Sequence, residues 1–338
     1  MTLRDAPSEP PAPMTPAELR AAFFRTFPAV APSILLGAFD QTIVATALPA
    51  IAGGLGVVEG ISWVVVDYLI AATIAAPVHG RLGDVFGRRT LLLVSLGLHA
   101  AGTLLAFLAP SFGWLIVARL LQGTGGAGLT TLTMALIGEA VPPRERGRFQ
   151  AWIAACFTTA SYVGPLAGGW LTGAFGWRAV FGATLPLVAL AVVMALRLPP
   201  GARHCSHQAG YRFDLPGVLL FAAFVGPALL ALGQAQRLSL AALPVAGGLA
   251  LAAALAFWLL LRRERRASNP LLPLKLLAEP IILRTNLFTA CAHGGLVALV
   301  SFLPIYLQTA RGLSPGQAGA MLLPLSLGAG WGRWRPGS

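Results

Sequence analysis

Apolar stretches near the length that spans a bilayer, about 20 residues for a hydrocarbon core of about 30 Å, recur along this chain from near position 30 onward. They fall at 30–50, 61–79, 91–109, 112–138, 149–172, 177–196, 215–233, 240–261, 287–308 and 316–332. One such run is compatible with a buried helix in a soluble core. Ten of them predict an all-α polytopic membrane protein, because only helices satisfy their own backbone groups in lipid when no closed barrel forms. A short amphipathic helix is expected before the first run, from Pro16 to Phe27, following a Pro-rich lead-in. No cleavable signal is expected, since the first long apolar run begins too late and extends too far.

Composition agrees with the pattern. Hydrophobic residues make up 56% of the chain and charged residues 11%, less than half the share usual in soluble domains. The net charge of +12 would suit a nucleic-acid binder, but its placement points elsewhere. With the N-terminus in the cytoplasm, most basic residues fall in cytoplasmic segments, among them Arg81, Arg88, Arg89, Arg144, Arg146, Arg148 and Arg262 to Arg266. Only Arg178, Arg237 and Arg311 fall outside, and Arg119 lies within a run. That asymmetry is the positive-inside bias of a membrane protein, and no nucleic-acid partner is expected. Cys156, Cys205 and Cys291 are too scattered for a metal site or a disulfide framework. The His204-Cys205-Ser206-His207 cluster reads as a chance feature of a polar loop. No cofactor is expected, and no nucleophile–base pair or nucleotide loop suggests an enzyme.

Ionisable residues at membrane depth are costly, which makes them informative. Three stand out in the first six runs: Asp40 in GAFDQTIVATALP, Asp67 in SWVVVDYLI and Arg119 in LIVARLLQGTGGAG. Two readings apply to the carboxylates. They either partner a buried cation structurally, Arg119 being the candidate, or bind protons with an affinity that changes as a cavity opens to either side. Arg119 cannot release its proton and serves as a fixed charge. His99 and His293 read as satisfied helix residues.

Two glycine-containing stretches follow. GRLGDVFGRRT, with Gly80, Gly83, Asp84, Gly87, Arg88 and Arg89, predicts a tight cytoplasmic reversal between the second and third runs. Asp84 is expected at a helix start, with Arg88 and Arg89 anchoring the next helix on the inner face. SYVGPLAGGW supplies Gly164, Pro165, Gly168 and Gly169, which predict a bend, a smooth packing face, or both.

Together these motifs resemble the major facilitator superfamily, and within it the fourteen-helix drug:proton antiporters. The resemblance runs from about residue 30 to 328. It rests on Asp40 to Pro49, on Gly80 to Arg89, on Arg119 with Gln122 and Gly123, on Gly164-Pro165 with Gly168-Gly169, and on Phe302 to Leu325. It implies a cytoplasmic lead-in (1–28), a six-helix bundle (29–197), a linker (198–214), an inserted helix pair (215–261), a cytoplasmic loop (262–286) and a second bundle, incomplete here (287–338). About ten helices of an expected fourteen are then present, as in a C-terminally truncated member. The implied activity is proton-coupled multidrug efflux across the inner membrane of a bacterial cell, with antibiotic resistance as its consequence. By that analogy Asp40, Asp67 and Arg119 serve proton coupling, Gly80 to Arg89 steadies one conformational state, and Gly164-Pro165 shapes the antiport helix. Asp67 ahead of Tyr68 favours a cationic lipophilic substrate. The implied partners are the lipid bilayer, protons and that substrate; whether accessory efflux subunits take part is not implied either way. Export of a native metabolite and a non-transporting regulatory role are the competing expectations.

Overall fold

The computed structural model describes residues 15–57, 60–142, 145–199, 214–235, 243–267, 270–272 and 274–311, and the regular structure among them is entirely helical. Helices α1 (Pro16–Leu55), α2 (Trp63–Phe86), α3 (Arg88–Phe107), α4 (Phe112–Ala140), α5 (Arg146–Phe175) and α6 (Arg178–Leu196) pack together. Helices α7 (Leu215–Ala235) and α8 (Leu243–Glu264) form a pair that touches the first group through α2 and α7. The four-residue α9 (Leu274–Leu277) leads into α10 (Pro280–Thr309). The tenth expected run and the His204–His207 cluster lie outside the described residues.

Two expectations change here. Ten spanning helices were anticipated, whereas six described helices (α1, α2, α3, α6, α7 and α8) are both long and apolar enough to cross a membrane. Helices α4 and α5 have ample length, at 29 and 30 residues. Arg119, Gln122 and a run of Gly and Thr dilute the first, while Arg146, Arg148, Gln150 and further glycines dilute the second. The amphipathic segment at Pro16–Phe27 is also no separate helix. It continues through Pro28 and Pro32 into α1, a 40-residue helix about 60 Å long at 1.5 Å per residue. A capping box starts it: the Glu18 amide donates to Thr15 Oγ1, and the Thr15 amide donates to Glu18 Oε2. Stacking of Phe23 on Phe149, centroids 4.3 Å apart, then fastens the extension to α5.

Large apolar side chains crowd the outside, as on Leu166, Trp170, Phe175, Leu251 and Phe288. Inside, two apolar clusters stack along the helix axes. One gathers Phe23, Leu36, Leu92, Leu96, Leu129, Val141 and Ala195. The other gathers Ile43, Ala47, Val64, Ala106, Leu115, Ala118 and Phe181. Along α1, α3 and α4 the residues between these clusters are polar: Asp40, then His99 and Thr103, then Arg119 and Gln122. The bundle is therefore apolar without, and carries a polar layer across its middle.

Candidate functional site: a buried polar layer

Close helix approach creates the layer. A methyl group on Gly102 of α3 would lie 2.6 Å from the Gln122 backbone nitrogen, and one on Gly125 of α4 would run into the backbone of Ser95 and His99. Gly123 and Gly126 of α4 face Tyr68 of α2 in the same way. Such small-residue contacts are how membrane helices approach closely. Here they bring side chains from α1, α2, α3 and α4 to one point.

At that point Arg119 donates from Nη1 to Asp40 Oδ2 (2.8 Å) and to Gln122 Oε1 (2.6 Å), and from Nε to the Val64 carbonyl (2.9 Å). Gln122 Nε2 donates to Asp40 Oδ1 (2.7 Å) and to Thr103 Oγ1 (3.0 Å). Thr103 passes its own hydroxyl hydrogen to the His99 carbonyl (2.8 Å). The guanidinium also lies over the Tyr68 ring, 4.4 Å from its centroid. Asp40 and Arg119 are 0% and 1% exposed. A pair this deep persists because Arg119 donates three hydrogen bonds and Asp40 accepts one on each oxygen, since burial of either ion unpaired carries a large desolvation cost.

Asp67 is treated differently. It sits on the inward face of α2 with Val64, Tyr68, Ala71 and Ala75, and its Oδ2 has no hydrogen-bond partner. The structure thus divides the two carboxylates: Asp40 is the partner of Arg119, and Asp67 keeps an unengaged oxygen. His99 belongs to the layer through Nδ1, 3.2 Å from the Gln122 carbonyl. Thr103 is the member sequence reasoning missed, and a lone threonine in an apolar helix offered no signal.

The two glycine motifs lie away from this layer. Gly80, Gly83 and Asp84 are inside α2, and the reversal falls on Gly87 alone, whose φ of 91° favours glycine. Asp84 occupies the last turn of α2 rather than a helix start. There it pairs at 3.0 Å across the Gly87 reversal with Arg88, the first residue of α3. Arg88 also donates to the Ala135 carbonyl (2.8 Å) and pairs with Glu139 (3.1 Å). Arg89 donates to the Leu196 carbonyl (2.8 Å), tying α3 to the end of α6. In α5 the helix continues through Pro165. Gly164 and Gly168 face Thr42, Ile43 and Thr46 of α1, whereas Gly169 faces open space.

A multihelical bundle, apolar outside and crossed by a buried ion-pair layer, is the architecture of a polytopic membrane protein. The chain belongs to the major facilitator superfamily, whose family model matches residues 30–335. An MFS-type transporter of Mycobacterium tuberculosis, itself uncharacterised, is 32% identical over 303 residues, covering 89% of this chain and 44% of that protein. The multidrug transporter protein MdtP of Bacillus subtilis is 29% identical, covering 87% of this chain and 54% of its own length. Multidrug resistance protein 3 of the same organism is 28% identical, with 88% and 57% covered. The chain therefore spans about half the length of these curated relatives.

Proposed function

We propose that this chain acts in a proton-coupled secondary exporter, in which protons moving inward drive small lipophilic, cationic compounds such as drugs outward. Supporting the drug substrate are the names of the two Bacillus relatives. One observation carries the coupling: of two carboxylates buried inside the bundle, Asp40 is satisfied by Arg119 and Gln122, while Asp67 retains an oxygen with no partner. In this reading Asp67 holds either a proton or the cationic cargo, so that loading one expels the other. Arg119 is the fixed charge that holds Asp40 and biases Asp67. Both α4 and α5 cross the bilayer too, their polar residues sheltered by neighbouring helices, with the N-terminus in the cytoplasm.

Gly80, Gly83, Asp84, Gly87, Arg88 and Arg89 then act as a latch that joins the inner ends of α2, α3, α4 and α6 in one conformational state. Gly164, Pro165, Gly168 and Gly169 form the antiport segment, with Gly164 and Gly168 allowing α5 to slide against α1. Alternating access in such transporters rocks one bundle against another around a central site. The test is ethidium efflux from a pump-deficient bacterial strain expressing the protein. Efflux should collapse on addition of an uncoupler and in Asp67→Asn. Efflux that survives the uncoupler contradicts proton coupling.

A further inference from the structure

A second pair of buried carboxylates lies at the end of the α7–α8 hairpin, apart from the polar layer and unused by the mechanism above. Asp214, just ahead of α7, receives three hydrogen bonds on one oxygen. The Gly217 amide (3.1 Å), Arg263 Nε (3.1 Å) and Arg263 Nη2 (2.9 Å) all donate to Oδ1. Its other oxygen, Oδ2, is buried with no partner. Glu264, in the last turn of α8, shows the same division. Its Oε2 accepts the Leu272 amide at 3.1 Å, and its Oε1 is buried without a partner. The two residues are only 9% and 4% exposed.

The unpartnered oxygens converge. A methyl group built on Gly217 would press on Asp214 Oδ2 and lie 3.0 Å from Glu264 Oε1, so both flank one point over the glycine. Buried carboxylate oxygens left facing each other repel unless something lies between them. Arg263 neutralises one negative charge and is already spent on Asp214 Oδ1. One positive charge is still needed for the group to be neutral.

We propose that Asp214 and Glu264 bind a single proton between Oδ2 and Oε1, and that this carboxyl–carboxylate pair clamps the segment at Leu272 onto the hairpin. With the proton in place Glu264 is held toward Asp214 and presents Oε2 to the Leu272 amide. Loss of the proton to solvent leaves two carboxylates side by side, and Glu264 swings off, releasing the segment that leads through α9 into α10. The clamp is therefore present at low pH and lost as pH rises far enough to strip the shared proton. The charged groups around it are Arg263 on Asp214, Arg262 turned onto the Trp258 ring (3.7 Å), and Arg265 and Arg266 just beyond α8. Helix α2, which packs on α7, adds Arg81 and Asp84, the latter engaged by Arg88.

The test is amide hydrogen exchange, followed by mass spectrometry on the protein in lipid nanodiscs and corrected for the intrinsic pH dependence of exchange. Pro270 and Pro273 carry no amide hydrogen, so a peptide across 270–273 reports little besides Leu271 and Leu272. Protection in the native protein should fall about tenfold per pH unit once the proton is lost. Glu264→Gln, whose amide can bridge to Asp214 without titrating, should stay protected throughout, while Glu264→Ala should be unprotected throughout. The proposal is overturned if native protection does not change with pH, or if Glu264→Gln exchanges as fast as Glu264→Ala. It is also overturned if protection tracks sodium rather than pH when sodium is replaced by a bulky organic cation, since a metal ion would then occupy the site.

Discussion

At the residue scale, the two membrane-depth carboxylates should separate cleanly by experiment. Asp40→Ala leaves Arg119 charged and buried without its only carboxylate partner in the layer, which costs about 3–5 kcal/mol for a pair broken from one side. A large drop in thermal midpoint in detergent is the expected result, smaller when Arg119 is replaced by Met in the same chain. Asp67→Asn should leave the midpoint nearly unchanged, because Oδ2 has no partner to lose, yet should reduce ethidium efflux at least tenfold. Charges in apolar runs are rare enough that sequence alone singled out Asp40, Asp67 and Arg119. Which carboxylate holds the arginine was not legible, because it depends on how α1, α2 and α4 are rotated about their axes. Thr103 and His99 joined the layer for the same reason, through contacts set by packing rather than by local pattern.

At the scale of elements, glycines that looked alike in the sequence have different duties. Gly168 lies against the Ile43 carbonyl, and Gly169 faces open space. Gly168→Ala should therefore push α5 from α1 and destabilise by about 1–3 kcal/mol, the usual range for overpacking, whereas Gly169→Ala should be neutral or slightly stabilising. Paired thermal melts of the two variants decide this. Arg88→Lys should loosen the inner ends of α3 and α4 nearly as much as Arg88→Ala. One ammonium cannot reproduce the planar fork that reaches Asp84, Glu139 and the Ala135 carbonyl together. Helix boundaries were legible wherever the apolar period was strong, as for α3 and α6. They failed at Pro28, where a capping box and the Phe23–Phe149 stack carry α1 through a residue that ordinarily ends or kinks a helix.

At the scale of the molecule, the positive-inside asymmetry predicts an orientation that labelling can check. Thr90 and Ser111 lie exposed at opposite ends of the bundle, at the start of α3 and just ahead of α4. In a cysteine-free background, Ser111→Cys should react with an impermeant maleimide on intact cells, and Thr90→Cys only after permeabilisation. The family was legible in the sequence because its motifs are short, local and tied to turns and helix faces. The number of helices apolar enough to cross was not, because buried polar residues such as Arg119 and Gln122 dilute a helix that is long enough, as in α4. The most direct test of the whole account is ethidium accumulation in inside-out membrane vesicles containing this protein, with the lumen acidified by respiration. Accumulation should depend on the proton gradient, vanish with an uncoupler and fall at least tenfold in Asp67→Asn. Accumulation of equal size without the gradient, or undiminished in Asp67→Asn, would contradict an exporter that exchanges a proton for a cation at Asp67.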